Sequence, residues 1–600
     1  MEVKGGWVYE RMAMGAVCLL TAALFGFWYV KAPELAERQV TAHRFYFYGV
    51  MWVESLCGLV VAWCVRKSFR FCWLDLGICL LGGYVWLRAG VEGAAVAYRT
   101  ELWLLCTVLY FLLRFVSTLS RKAVTVMLWV VLGGGCVEAV YGLAQLYGGC
   151  VSGHPLYRLT GSFFNPGPYS GFLVLVLPIA LFYSLKNNRL VWGIMLLILS
   201  ILPAGMSRSS WLAAVAAMGI VCLYHEPCRR LLLRGWRKLR GRSWWIVGIG
   251  GALLCVLLLG LYGMKKDSAD GRLLMWKIEV RAMQEHPWIG VGLGNFGGAY
   301  GEAQADYFAG TTVREQEEKV AGAPEYGFNE YLQLGMELGM IGLLLFLGVL
   351  GMAAWQLIRS GQPEAPAVLG GLAAYAVFAC FSYPLNVLPL IVVLVLFLAL
   401  AGTMAGKDRV SADLHRKGRQ LVVWGVAMAG FLITEEIVRD KAELRQAYVH
   451  WKEEQHYFNM NIFEETVAHY RELYSCLKDQ PRFLFEYGQC LSKTGQYEEA
   501  IRILSEGVRL SADPMFYNIM GRSAQALGRY GEAETYFEQA ARRVPHRLYP
   551  LYLLAKMYFE SGQTEKGREM AWRVLRKEPK VMSEVVKEMK AELRECLKEK

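Results

Sequence analysis

Residues 386–405 read NVLPLIVVLVLFLALAGTMA, twenty residues without a charged side chain. A helix rising 1.5 Å per residue over that length covers about 30 Å, the hydrocarbon thickness of a bilayer. Working outward, comparable apolar runs lie near 12–30, 44–65, 71–91, 100–117, 123–148, 167–185, 190–206, 209–224, 244–263, 333–357, 366–384 and 419–434. They predict an all-α, polytopic membrane helix bundle of about 13 transmembrane helices over residues 1–434. The composition agrees: 55% of the 600 residues are hydrophobic, above the usual range of soluble domains. The first run has no small-residue cleavage site behind it and a second run follows soon after, so it reads as a retained helix. Beyond residue 434 the chain turns charged and amphipathic.

A net charge of +12 raises the question of nucleic acid. The distribution answers it: Arg66, Lys67, Arg70 and the cluster from Arg229 to Arg242 sit in short loops between apolar runs. That is the pattern of membrane orientation, with anionic membrane lipids as the neighbours of such loops, and no nucleic-acid partner is expected. Segments around Lys186 to Arg189, Arg229 to Arg242, Arg359 and Lys407 to Arg419 are read as cytoplasmic. Counting spans from them puts the N-terminus inside. Arg208, the loop 264–332 and everything after 434 then fall outside. The close pair 190–206 and 209–224 requires Ser207-Arg208-Ser209 to turn at a membrane surface. Fifteen cysteines, most of them within apolar runs and none in a metal-type CxxC pair, read as small apolar residues. Glu54, Asp75, Arg114, Glu138 and Glu337 lie inside runs, where charge marks either function or an internal ion pair.

The tail repeats itself. Gly495-Gln496-Tyr497-Glu498-Glu499-Ala500 recurs as Gly528-Arg529-Tyr530-Gly531-Glu532-Ala533 and, weakened, as Gly562-Gln563-Thr564-Glu565-Lys566-Gly567. Phe463-Glu464-Glu465-Thr466 is a degenerate earlier copy, and Pro481, Pro514, Pro545 and Pro579 close the units. A period near 34, with glycine between two helices and proline after the second, resembles the tetratricopeptide repeat. The resemblance implies an α-solenoid over 447–580, after a linker at 435–446 and before a charged C-terminal helix at 581–600. A protein or peptide partner on its concave face is expected, or else a bracing role.

Unusual residues gather on the predicted outer face. They are Thr160-Gly161-Ser162-Phe163-Phe164-Asn165-Pro166-Gly167-Pro168, Ser207 to Trp211, and Asp270-Gly271-Arg272 with Trp276. His286-Pro287-Trp288-Ile289-Gly290-Val291-Gly292-Leu293-Gly294-Asn295-Phe296 follows, then Phe328-Asn329-Glu330-Tyr331-Leu332-Gln333. The GxGxGN stretch lacks a strand–turn–helix setting, so it reads as a tight turn that admits a ligand to the backbone and not as a nucleotide loop.

In this order the segments resemble the O-antigen ligase and polymerase family of bacterial inner-membrane glycosyltransferases, over about 160–350. The resemblance implies transfer of a glycan from a polyprenyl-diphosphate carrier at the periplasmic face, without metal or cofactor. The acceptor is lipid A core, another glycan or a protein hydroxyl; polymerisation on the same donor is the alternative within the family. It also implies a cytoplasmic N-terminus and periplasmic repeats. A lipid diphosphate leaving group calls for guanidinium charge, and Arg208 and Arg272 match the family's functional arginines. Their plainer readings are an interfacial anchor and a solvated loop charge. Where family ligases carry histidine before the asparagine, this chain has Phe328, which cannot accept a proton. Glu330 is the chosen base, ahead of Glu325 and His286, and its plainer reading is a helix-start carboxylate. Asn165, Tyr169, His286, Asn295 and Asn329 are the candidate substrate-binding residues, with His154 near them. A transporter or a non-catalytic envelope scaffold are the readings from other classes; the one-faced clustering of unusual residues speaks against a midplane transport site.

Overall fold

The computed structural model describes residues 17–26, 30–64, 71–92, 97–120, 122–239, 266–310, 315–405 and 416–599, with Gly15, Gly260 and Gly263 besides. Among the described residues the chain is all helix and loop. The membrane half begins with α1 (Arg38–Cys64), α2 (Trp73–Glu92), α3 (Ala97–Val116), α4 (Ala123–Leu146), α5 (Pro166–Ser184), α6 (Arg189–Ile201), α7 (Arg208–Tyr224) and α8 (Glu226–Leu239). It continues through α9 (Lys266–Glu285), α10 (Phe296–Ala309), α11 (Glu315–Val320), α12 (Glu330–Ser360), α13 (Ala365–Ala379), α14 (Leu388–Thr403) and α15 (Arg416–Val438).

Each apolar run from 44–65 onward coincides with a helix, except 244–263, which lies almost wholly outside the described residues. Five helices are long and apolar enough to cross a membrane: Gln39–Trp63, Ala123–Leu146, Pro166–Ser184, Glu330–Ser360 and Gln420–Asn459. Four shorter apolar ones accompany them. α5 and α14 are buried all round and form the centre of the bundle. Their neighbours turn large apolar side chains outward (Trp63, Leu80, Leu190 and Val215), as a lipid-facing surface requires. Inside, Asp75 accepts both arms of Arg114, Oδ1 from Nε at 3.0 Å and Oδ2 from Nη2 at 3.1 Å, so this charge pair is internal.

Two regions differ from the sequence expectation. The segment 264–332, expected as an external loop, carries α9, α10 and α11. Residues 435–446 are helical too, apart from a turn at Arg439 and Asp440. α15 therefore passes almost directly into the tail: a charged helix can run out of an apolar one wherever no proline or glycine stops it.

The tail pairs α16 (Lys441–Asn459) with α17 (Phe463–Leu477), α18 (Pro481–Lys493) with α19 (Tyr497–Val508), and α20 (Met515–Ala526) with α21 (Tyr530–Arg543). α22 (Tyr549–Glu560) and α23 (Thr564–Arg576) follow, and α24 (Glu584–Glu599) caps the stack, burying Leu593. Gly495, Gly528 and Gly562 hold the left-handed conformation between paired helices, with φ of 80°, 74° and 77°. The tail sits on the end of the bundle that carries α9 to α11. Arg445 pairs with Glu34 and Arg482 with Glu37, both at 2.6 Å, and the Ala36 amide donates to the Tyr448 carbonyl at 3.1 Å. The flat face of α10 at Gly297 and Gly298 lies against the backbone of Arg509 and Leu510 so closely that a Cβ there would overlap it.

Candidate functional site

α7 starts at Arg208. Met206 takes a left-handed conformation (φ 49°) and Ser207 is the N-cap, its hydroxyl 2.8 Å from that of Ser210. Arg208 is thus the first residue of a helix whose N-terminal N–H groups already present partial positive charge. That position disfavours a cation and favours an anion beside it.

α9 presents Arg272, Trp276 and Glu279 to the bundle, a spacing of four and three that keeps them on one helical face. The Arg272 guanidinium lies over the Phe328 ring, 5.0 Å from its centroid. Burial and then the charge of Arg208 pull the Arg272 pKa down, so the two guanidiniums stand within electrostatic reach of each other. Phe328, at φ 47°, is held where side chains rarely go. Its ring meets Tyr383 edge-on at 5.1 Å, and Tyr383 stacks on Tyr326 at 4.8 Å.

The start of α12 is held from several sides. Asn329 caps it, its side-chain oxygen accepting from the Tyr331 and Leu332 amides at 3.1 and 3.2 Å. Glu330 is buried, and Oε2 accepts from the Leu385 amide at 2.8 Å. Its Oε1 has no hydrogen-bond partner among the described residues. Next to it Glu279 is fully buried with neither oxygen bonded among the described residues. Burial, and then the nearby Glu330, raise its pKa well above the usual carboxylate range.

α12 breaks at Gly339 (φ 67°), and the glycine-rich turn after His286 wraps the break. Val291 and Gly292 amides donate to the Met336 and Glu337 carbonyls at 2.9 Å, and Met340 donates back to the Pro287 carbonyl at 2.8 Å. A Cβ on Gly290 would lie 2.5 Å from the Glu337 carbonyl carbon, and one on Gly339 would lie 2.3 Å from Trp288. The close approach these glycines permit is therefore made by the chain's own helix. Asn295 donates to the Val291 carbonyl at 2.8 Å and closes the same turn, while His286 is exposed.

Asn165 caps α5, accepting from the Gly167 amide at 3.0 Å. Tyr169 is buried and donates to the Glu138 carbonyl at 3.1 Å. Glu138 and Gln145 in turn accept from the amides of Thr160, Gly161 and Ser162, which fixes the loop leading to Phe163 and Phe164. His154 stands apart, accepting from Leu156 at 3.0 Å.

The structure thus brings Arg208, Arg272, Phe328 and the start of α12 to one corner. Beyond the Tyr326–Tyr383 stack lies a cavity of about 640 Å³ between bundle and tail. Its bundle wall holds buried Arg99, which pairs with Glu337 at 3.3 Å and also donates to Asn386. Arg99, Gln333, Asn386 and Tyr326 were not legible as site residues: Arg99 and Asn386 open apolar runs, where they look like interface anchors, and only the fold brings them together.

Residues 193–347 match the family model described as O-antigen ligase. Residues 447–513 match YpiA-like C-terminal tetratricopeptide repeats, and 524–593 match a further tetratricopeptide repeat model. The class is therefore a multi-pass membrane protein with a helical-repeat tail. More particularly, the match of residues 193–347 to the O-antigen ligase model supports a glycosyl-transferring enzyme of the ligase or polymerase kind. The matched segment contains Arg208, Arg272, His286, Asn295, Asn329 and Glu330, whereas Asn165 and Tyr169 precede it.

Proposed function

We propose that the chain moves a glycan from a polyprenyl-diphosphate carrier to an acceptor at the periplasmic face of the bacterial inner membrane, as an O-antigen ligase-type transferase. The observation that carries the reading is the corner where Arg208, at the start of α7, lies within electrostatic reach of half-buried Arg272, whose guanidinium lies over the Phe328 ring. Two like charges so placed repel, and an anion between them relieves the repulsion while gaining charge-assisted hydrogen bonds. A diphosphate leaving group develops negative charge as the sugar departs, which guanidinium groups stabilise in place of a metal ion. The acceptor oxygen attacks the anomeric carbon, the bond from that carbon to the phosphate oxygen breaks, and the acceptor proton passes to Glu330 through its unbonded Oε1. Asn165, Tyr169, Asn295 and Asn329 serve this site by shaping the loops and helix starts around it; His286 remains the candidate for a contact to substrate from the exposed turn.

Arg208→Ala and Arg272→Ala in a glycan-profile assay test the site. Both should lose transfer at normal membrane levels, and wild-type transfer by both removes the assignment. The acceptor is lipid A core or a protein hydroxyl, and gene deletion followed by lipopolysaccharide ladders and glycoprotein blots separates the two. Longer glycans lost without loss of attachment would favour the polymerase reading.

A further inference from the structure

The cavity between bundle and tail is a space that the arginine corner does not account for, and its size falls in the range of ligand pockets. Both halves build it. The bundle contributes Arg99, Gln333, Glu337 and Asn386, a connected polar row in which Asn386 also donates to Gln333 at 3.4 Å. Arg99, Gln333 and Glu337 are buried, at 9%, 2% and 1% exposure. The tail contributes Asp479, Gln480, Asp513 and Arg547 from the segments between its helices, and Arg482 from the first turn of α18. Aromatic rings stand between these groups on both walls, Tyr326 and Phe164 on one side and Phe485 and Phe516 on the other.

This mixture has a chemical meaning. A sugar ring offers apolar C–H faces and a rim of hydroxyls. Flat aromatic rings match the faces, while carboxylates, amides and guanidiniums match the rim. A purely apolar occupant would strand the buried Arg99–Glu337 pair without solvent, and a simple anion would meet Glu37, Glu325, Asp479 and Asp513 in the same wall. The position also fits. Tyr326 lines the cavity and stacks on Tyr383, which touches Phe328 under Arg272, so one layer of rings separates the cavity from the phosphate corner.

We propose that this cavity is a carbohydrate site built jointly by bundle and tail, so that the helical repeats form a wall of the binding site. The inference rests on the transferase reading above. The sugar is either the glycan of the donor or that of the acceptor, and the two are separable by experiment.

The test uses the full chain in lipid nanodiscs and two probes. One is the oligosaccharide released by mild acid from the source cells' lipid-linked donor, and the other is the delipidated core oligosaccharide of their lipopolysaccharide. Equilibrium dialysis of labelled probe should show binding of at least one, and the one bound names the source. Gln480→Trp and Asp513→Trp fill the cavity from the tail side and should weaken binding at least tenfold and lower transfer. Arg482→Ala combined with Arg547→Ala strips two exposed cavity charges and should do the same if the larger residues prevent folding. Lys556→Ala, on α22 and away from the cavity, should change neither. If neither oligosaccharide binds, or if folded cavity variants bind and transfer like wild type, the proposal is overturned. Loss of transfer in Arg272→Ala with intact cavity variants removes the cavity alone. The opposite pattern removes the arginine reading and leaves the cavity.

Discussion

Arg114 and Arg272 are both largely withdrawn from water, and their surroundings could hardly differ more. Arg114 meets a carboxylate in a two-pronged bond, and Asp75 also accepts from the Tyr110 hydroxyl and the Cys72 amide, both at 2.7 Å. Every charge there has its complement, so the pair ties α2 to α3 inside the bundle. Arg272 instead lies on a phenylalanine ring with Arg208 as its charged neighbour. Like charges held near each other favour an anion beside them, which is the basis of the proposed diphosphate site. Buried arginine alone is thus not a sign of function; the identity of its partner is.

Four predictions press on this contrast. The largest effect is expected at the paired site. Arg114→Ala strands Asp75 and should destabilise the bundle by about 3–5 kcal/mol, seen as lost membrane accumulation with unchanged transfer per folded molecule. At the corner the pattern should invert. Arg272→Ala should lower transfer by about 100- to 1,000-fold, or about 2.7–4 kcal/mol, with accumulation and thermal midpoint preserved. Arg272→Lys should recover part of it, because ammonium cannot bind bidentately.

Next comes the break in α12 at Gly339. Gly339→Ala forces a side chain into the left-handed region and against Trp288, and should cost about 2 kcal/mol or more in thermal unfolding. The smallest effect concerns Glu279, whose pKa is raised in the folded state. Below about pH 4.5 its carboxyl is protonated in both states and the contribution to stability is complete. As pH rises, the unfolded chain ionises first and that stability is lost through the folded pKa. Glu279→Gln should therefore flatten the decline of the thermal midpoint as pH rises above about 4.5; an unchanged slope would mean Glu279 is ionised in the fold.

The tail was legible almost residue by residue, because its signals are local. Gly528 sets a turn between adjacent helices and Pro481 opens α18, and both act within a few residues of themselves. The apolar runs on described residues were legible as helices because length and apolarity suffice. The corner was legible only as a set of suspects. That Arg272 reaches Arg208, some sixty residues away in sequence, depends on how α9 docks on α12, and no periodicity reports that. The glycine-rich turn misled for the same reason: glycine announces a close approach but not what approaches, and here it is the backbone of α12. The cavity was wholly hidden, since its walls come from residues 37–40, 98–99, 163–164, 294–297, 323–337, 386–389 and the tail.

The central claim, that Arg208 and Arg272 together hold a diphosphate, is tested most directly by binding. Polyprenyl diphosphate and polyprenyl monophosphate should be titrated against the full chain in nanodiscs, for wild type, each alanine variant and the double variant. The account predicts preference for the diphosphate, its loss in either single variant, and little further loss in the double variant, because the two guanidiniums act as one clamp. Undiminished diphosphate affinity in the double variant would contradict it.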